Sequence, residues 1–282
     1  MTMTREEFLR MVGLSAAGAA AGCRMFAGGG APRCALQLYS IHKIMWKEDP
    51  ARTLAAIKDG GYDGVEFAGY GDKSAREIRR LLSDAGLAGA GTHVNGDVDL
   101  VGDSLKRTLD FCAEAGIESV TTPHAKRDSA DAYREFGRLM GAAAEAAAPY
   151  GIKVGVHTTY HHFTTRYGDE TAWDMIYKDA SPLLQQQIDT ANALHTGTDV
   201  VALLRKYRNR HHSIHLKENV PTVDGLFGVP PTDGGPMVPW DDVFAYMATE
   251  TGNAWYIVEA EGRPDSLEPC IANLRFLRKR IG

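Results

Sequence analysis

The sequence predicts a single (β/α)8 barrel of the TIM type behind an N-terminal leader. Three observations predict it. Eight short apolar runs alternate with longer helical stretches from residue 34 to the end, the rhythm of a parallel sheet covered by helices. The chain has 282 residues, and the part after residue 30 has the length at which such barrels close, about 250 residues. No GxGxxG follows the first strand, which counts against an open dinucleotide-binding sheet.

The segments read in order as follows. Ala35-Leu36-Gln37-Leu38-Tyr39-Ser40 is a strand, and residues 50–60 form a helix with Pro50 at its start and Gly60 at its end. Residues 64–68 are the second strand and 74–85 a helix stopped by Gly86. The third strand is 87–94, followed by a helix over 100–115 closed by Gly116. The fourth is 117–122, ended by Pro123, and an Ala-rich helix runs over 131–148. Residues 152–157, 184–190, 213–217 and 255–259 are strands five to eight, with helices over 170–179, 198–207, 241–251 and 266–280. Two long loops, 158–169 and 218–240, leave the carboxyl ends of strands, where a barrel builds its site.

Residues 1–30 read apart from this domain, which occupies 34–282. A charged start, Thr4 to Arg10, precedes an Ala- and Gly-rich apolar stretch and Cys23, the parts of an export signal. The segment resembles a twin-arginine leader with Glu6 in place of the second arginine. Ala20-Ala21-Gly22-Cys23 resembles a lipoprotein box with Ala20 in place of leucine. The expectation is export to the periplasm or cell envelope, or a cytoplasmic protein if the leader does not function.

Composition narrows the function. Thirty-one basic and 36 acidic residues give a formal charge of -5, which offers no field for nucleic acid. Four cysteines without CxxC spacing support neither a zinc knuckle nor a disulfide framework. No transmembrane span is expected in the domain.

Polar residues recur at the strand ends. Tyr39, Glu66 and His93 stand at strands one to three; His157, Asp189, His215 and Glu259 stand at strands five to eight. Strand-end side chains converge on one mouth in a barrel. The last four make a site of nitrogen and oxygen donors for one divalent ion, suited to Mn²⁺, Co²⁺, Zn²⁺ or Fe²⁺.

Leu36 to Ser40, Gly61 to Glu66, the 151–163 stretch, His215-Leu216-Lys217-Glu218 and Val258-Glu259 together resemble the sugar phosphate isomerase/epimerase family. That family lies within the xylose isomerase-like barrel superfamily. The resemblance implies a divalent metal on strands five to eight, with a usual ligand set of Glu, Asp, His and Glu. Asp189, His215 and Glu259 match the last three, whereas His157 stands where many members carry Glu.

The implied activity is that of an isomerase or epimerase of a sugar or keto-sugar, acting by proton abstraction beside a carbonyl through a metal-stabilised enediolate. A lyase or dehydratase on a 3-keto-glycoside or inosose shares the first step; a non-catalytic sugar-binding barrel is a further alternative. Glu259 is the expected base, with His93 and Lys217 as second acid/base or oxyanion partner. Tyr39, Glu66 and Trp46 are expected to bind substrate or, for Glu66, to orient a partner. Tyr160, His161 and His162 offer a further wall for a sugar ring. The expected partner is a small-molecule carbohydrate, for a chain that can form a homo-oligomer.

Overall fold

The computed structural model describes residues 32–123, 125–218, 224–250 and 254–281. The leader, with Cys23, and part of the loop after strand seven lie outside the described residues. Eight parallel strands close a barrel: β1 (Cys34–Gln37), β2 (Gly64–Phe67), β3 (Ala88–His93), β4 (Ser119–Thr122), β5 (Lys153–His157), β6 (Gln185–Asp189), β7 (His211–Leu216) and β8 (Trp255–Val258). Each strand pairs with its sequence neighbours, and β1 closes on β8. Eight principal helices follow in turn: α1 (Pro50–Asp59), α2 (Ala75–Ala85), α3 (Gly102–Ala115), α4 (Ala130–Ala147), α5 (Ala172–Lys178), α6 (Val200–Lys206), α7 (Trp240–Glu250) and α8 (Glu268–Ile281).

Local chemistry sets these helices. The Asp49 side chain caps the start of α1, with Pro50 beside it. Ser74 and Glu77 form a reciprocal capping box on α2, and Thr171 and Asp174 form another on α5. The main apolar core lies between the outer face of the barrel and the helices, and includes Leu36, Val65, Val120, Val154, Ile188 and Ile214. The tightest helix crossing joins α4 to α5. A Cβ on Gly137 would stand 1.9 Å from the Ile176 carbonyl oxygen, so only glycine fits there.

The barrel interior is small and polar rather than filled with branched aliphatic layers. Ala35, Ala90, Trp255 and Ile257 make one apolar cluster. Buried Gln37, Glu66, Gln187, Ser213 and His215 are joined by hydrogen bonds into a polar network. Gly91 makes room for it: a Cβ there would lie 3.0 Å from Glu66 Oε1.

Four differences from the sequence expectation bear on the site. β1 ends at Gln37, and Leu38–Ile41 turns as a 3₁₀ helix into the short helix His42–Met45. Tyr39 therefore stands beyond the strand, 52% exposed. The helix expected over 100–115 is preceded by a separate turn, Gly96–Asp99. Another short helix, Thr190–Leu194, directly follows β6. The loop after β5 is also structured, with the helix His161–Thr164 and a two-stranded hairpin of Arg166–Tyr167 with Glu170–Thr171.

Candidate metal centre and active site

The strands bring the expected polar residues to the mouth, but not at one height. His157 is level with Gln187 across β5 and β6, and Asp189 is level with His215. His215 is in turn level with Ile257, so Glu259 sits two residues further along. Strand stagger in a closed barrel produces this offset. The result is two triads sharing His215. His93, His157 and His215 form one, and Asp189, His215 and Glu259 the other; within each, donor atoms lie within 4.8 Å of one another.

Glu66 is the hub beneath them. Its carboxylate is wholly buried and surrounded by donors. Gln37 Nε2 and His215 Nε2 each donate to Oε2 at 2.6 Å, and Gln187 Nε2 donates to Oε1 at 2.7 Å. His93 Nε2 lies 3.2 Å from Oε2. Burial pushes the Glu66 pKa up, but the facing imidazoles His93 and His215 outweigh it and hold the group well below the usual carboxylate range. Glu66 therefore orients its partners and is sealed from the cavity.

Gln187 was not singled out from the sequence, yet it orders the histidines. Its Nε2 donates to Glu66 and to Ser213 Oγ (2.8 Å). With the amide so oriented, Oε1 must accept from His93 Nε2 (2.7 Å) and His157 Nδ1 (2.9 Å). His157 then carries its proton on Nδ1 and its lone pair on Nε2. That Nε2 lies 3.8 Å from Asp189 Oδ2. Burial and the neighbouring histidines hold His157 well below its usual range, in the neutral form that binds metals.

Asp189 supplies the test of fit. Its Oδ1 accepts from the Asn192 backbone N–H at 2.8 Å. Its Oδ2 is buried without a hydrogen-bond partner, and Lys217 Nζ stands 3.9 Å away. Burial, opposed by Lys217, pushes Asp189 up to about 6. An orphaned carboxylate oxygen facing an imidazole lone pair is costly unless a cation completes it. The Asp189, His215 and Glu259 triad, with His157 Nε2 beside Asp189, offers nitrogen and oxygen donors of the kind a divalent ion takes.

Glu259 sits between two cations. His215 Nδ1 donates to Oε2 at 2.9 Å, and Lys217 Nζ donates to Oε1 at 3.2 Å. Burial opposes ionisation, but Lys217 and His215 outweigh it and keep the carboxylate ionised. His215 is raised to about 10: burial acts against the charge, and Glu66 and Glu259 overcome it. Both ring nitrogens then donate, so a metal ion would take Nδ1 only by replacing its proton. Lys217 also donates to Glu261 (2.6 Å) and is raised despite burial by Glu259, Asp189 and Glu261. It is held as an ammonium, which suits charge stabilisation and not the role of a base.

An open cavity of about 880 Å³ reaches this cluster and is lined by Gln37, Tyr39, His93, His157, Thr159 and Glu259. Trp46 does not line it. Its indole packs instead against Gly71, where a Cβ would stand 2.5 Å from the ring. Tyr160, His161 and His162 do not line it either. His162 is fully buried, accepts at Nδ1 from the Thr159 N–H (3.0 Å) and packs against Trp173. It anchors the loop from behind. Glu218, also unassigned from the sequence, accepts from Gly228 N, Val238 N and Trp240 Nε1 and ties down the long loop after β7.

A closed parallel barrel with its ionisable side chains gathered at the carboxyl ends of the strands defines a (β/α)8 barrel protein. The chain belongs to the xylose isomerase-like TIM barrel family, whose profile matches residues 54–280. A sugar phosphate isomerase/epimerase structure from Parabacteroides distasonis ATCC 8503 superposes with a TM-score of 0.73 at 23% identity, covering 89% of this chain and 98% of that one. An L-ribulose 3-epimerase structure gives 0.68 at 15% identity, over 89% and 94%. At these identities the likeness speaks for the fold. An inosose dehydratase from Bacillus thuringiensis (strain Al Hakam) is 28% identical over 149 residues, 45% of this chain and 49% of the relative. The chain thus spans about half the length of the curated relatives it matches. No helix among the described residues is long and apolar enough to cross a membrane.

Proposed function

We propose that the chain is a divalent-metal-dependent isomerase or epimerase that removes the proton beside the carbonyl of a sugar or keto-sugar. His157, Asp189, His215 and Glu259 are the proposed ligands. The observation that carries the reading is the buried, unpartnered Asp189 Oδ2 facing the His157 lone pair at 3.8 Å. An ion bound there would supply Lewis acidity toward the carbonyl and hydroxyl oxygens of the sugar.

The chain's own residues then divide the work. Glu259 lines the cavity as a carboxylate and accepts the carbon-bound proton. Lys217, beside its Oε1, keeps positive charge at the reacting end. His93 lines the same cavity. Its Nε2 is held by Gln187 and Glu66, which leaves Nδ1 to hydrogen-bond a substrate oxygen or carry a proton. Tyr39 supplies an exposed aromatic face at the rim.

One observation favours a second reading, elimination from a 3-keto-glycoside or inosose. Symmetric epimerisation needs a base on each face of the carbon. His157, tied at Nδ1 to Gln187 with Nε2 turned toward Asp189, is not free to act as a second base. The inosose dehydratase relatives agree with that outcome. Incubating the Mn²⁺-loaded chain with 3-keto-glucosides and ketoses in D₂O tests both readings by NMR. Carbon-bound deuterium without loss of a group marks the isomerase; released water or aglycone marks the lyase. Glu259→Gln should slow either by at least about 10²-fold, and wild-type rates in that variant would remove Glu259 as the base.

A further inference from the structure

The cavity does not stop at the reacting centre. It continues sideways past β3 to the flank of α3, where Ser104, Arg107, Thr108 and Phe111 line it. Their spacing of i, i+3, i+4 and i+7 puts them along one side of the helix, a stripe of roughly 10 Å at about 1.5 Å per residue. Tyr70 faces the same space, and its ring centroid lies 4.5 Å from that of Phe111. At about 880 Å³ the whole space is near the top of the range of about 300–1,000 Å³ for small-ligand sites.

Thr108 Oγ1 in this extension is spent on the Asp99 carbonyl at 2.9 Å, but Arg107 and Asn95 keep donors to spare. Arg107 pairs with no carboxylate among the described residues, while its neighbour Lys106 is engaged by Asp110 at 2.6 Å. Arg107 Nη2 donates to Ser104 Oγ at 2.8 Å, and the rest of its fork points to no other side chain among the described residues. Asn95 uses its Oδ1 to cap the Gly96–Asp99 turn at the Asp97 N–H, which leaves its amide N–H groups for a ligand. Aromatic faces beside unspent donors are what a sugar ring asks of a protein. Its C–H patches lie on the rings and its hydroxyls take the hydrogen bonds.

We infer that Tyr70, Phe111, Arg107, Ser104 and Asn95 form a subsite for a second sugar ring, so that the substrate is a disaccharide-sized glycoside. This rests on the proposed sugar chemistry for the kind of ligand, but binding can be measured without turnover. The test is calorimetric titration of the full chain, with Mn²⁺ present, against glucose, cellobiose, maltose and trehalose. At least one disaccharide should bind about tenfold or more tightly than glucose. Arg107→Ala and Phe111→Ala should bring that ratio toward one, whereas Lys106→Ala, on the same helix, should keep it. Circular dichroism checks the fold of Phe111→Ala, and Arg107→Ala, at an exposed position, decides the question if that variant does not fold. Equal or absent binding of all four sugars, or a preference that survives Arg107→Ala, overturns the subsite. A disaccharide preference without deuterium exchange would leave the subsite standing and remove the proposed reaction.

Discussion

Replacing Glu66 by Gln probes the network beneath the site with one change of atom. Every neighbour of this buried carboxylate is a donor: Gln37, Gln187, His215 and His93. An amide there offers one acceptor oxygen and an NH₂ with nothing to accept from it. If the NH₂ faces His215 and Gln37, two short hydrogen bonds and the charge opposite His215 are lost. If it faces Gln187, that side chain must flip and present its own NH₂ to His93 and His157. The His157 proton then moves to Nε2 and removes the lone pair aimed at Asp189. Breaking a fully buried charge pair costs about 3–5 kcal/mol, which at about 2–4 °C per kcal/mol lowers Tm by about 6–20 °C. The flip should weaken divalent-ion binding by about 10–100-fold. Calorimetric unfolding and Mn²⁺ titration of E66Q measure both. A Tm within about 2 °C of wild type, with unchanged Mn²⁺ affinity, would show that Glu66 does not order the histidines.

Two further predictions concern stability. Burial depresses the His162 pKa to about 3, so the folded state holds it neutral and the unfolded chain binds the extra proton. Its contribution is intact above about pH 6.5 and is lost as pH falls toward 3, by about 2 kcal/mol at pH 5. Urea unfolding at pH 6.5 and 5.0 should show a shallower pH dependence in His162→Gln than in wild type; equal slopes would count against it. His215 has the opposite sign, with stability lost as pH rises toward about 10, so the comparison belongs below pH 6.5. Gly137→Ala would drive a Cβ into the Ile176 carbonyl at the α4–α5 crossing and should cost about 1–3 kcal/mol or more; a urea midpoint equal to wild type would show that the crossing yields freely.

Much of this was legible in the sequence because barrel folds repeat a simple rhythm. All eight strands lie within a few residues of their expected spans, because the outward-facing positions stay apolar, as at Val154, Ile188 and Ile214, even where the inward face is polar. His157, Asp189, His215 and Glu259 were legible as strand-end residues of consecutive strands. Their relative heights were not, because strand stagger and the irregularity between Gln186 and Gln187 leave no mark in the pattern. Gln187 itself escaped notice: a neutral amide in a run of three glutamines carries no titratable signal, and its importance lies wholly in its four partners. The surroundings of Trp46 and His162 are hidden from the sequence for a related reason. Type and position in a loop suggested a sugar wall, but the direction of each side chain is set by turns that short-range periodicity does not encode.

In the proposed site, Asp189, with His157, His215 and Glu259, would hold one divalent ion at the barrel mouth. Equilibrium dialysis of the full chain against Mn²⁺ and Co²⁺, with metal analysis of wild type and Asp189→Asn, tests it most directly. Wild type should hold about one ion per chain, and a folded Asp189→Asn variant little or none. Wild-type protein that retains no ion, or an Asp189→Asn variant that binds as well as wild type, would contradict it.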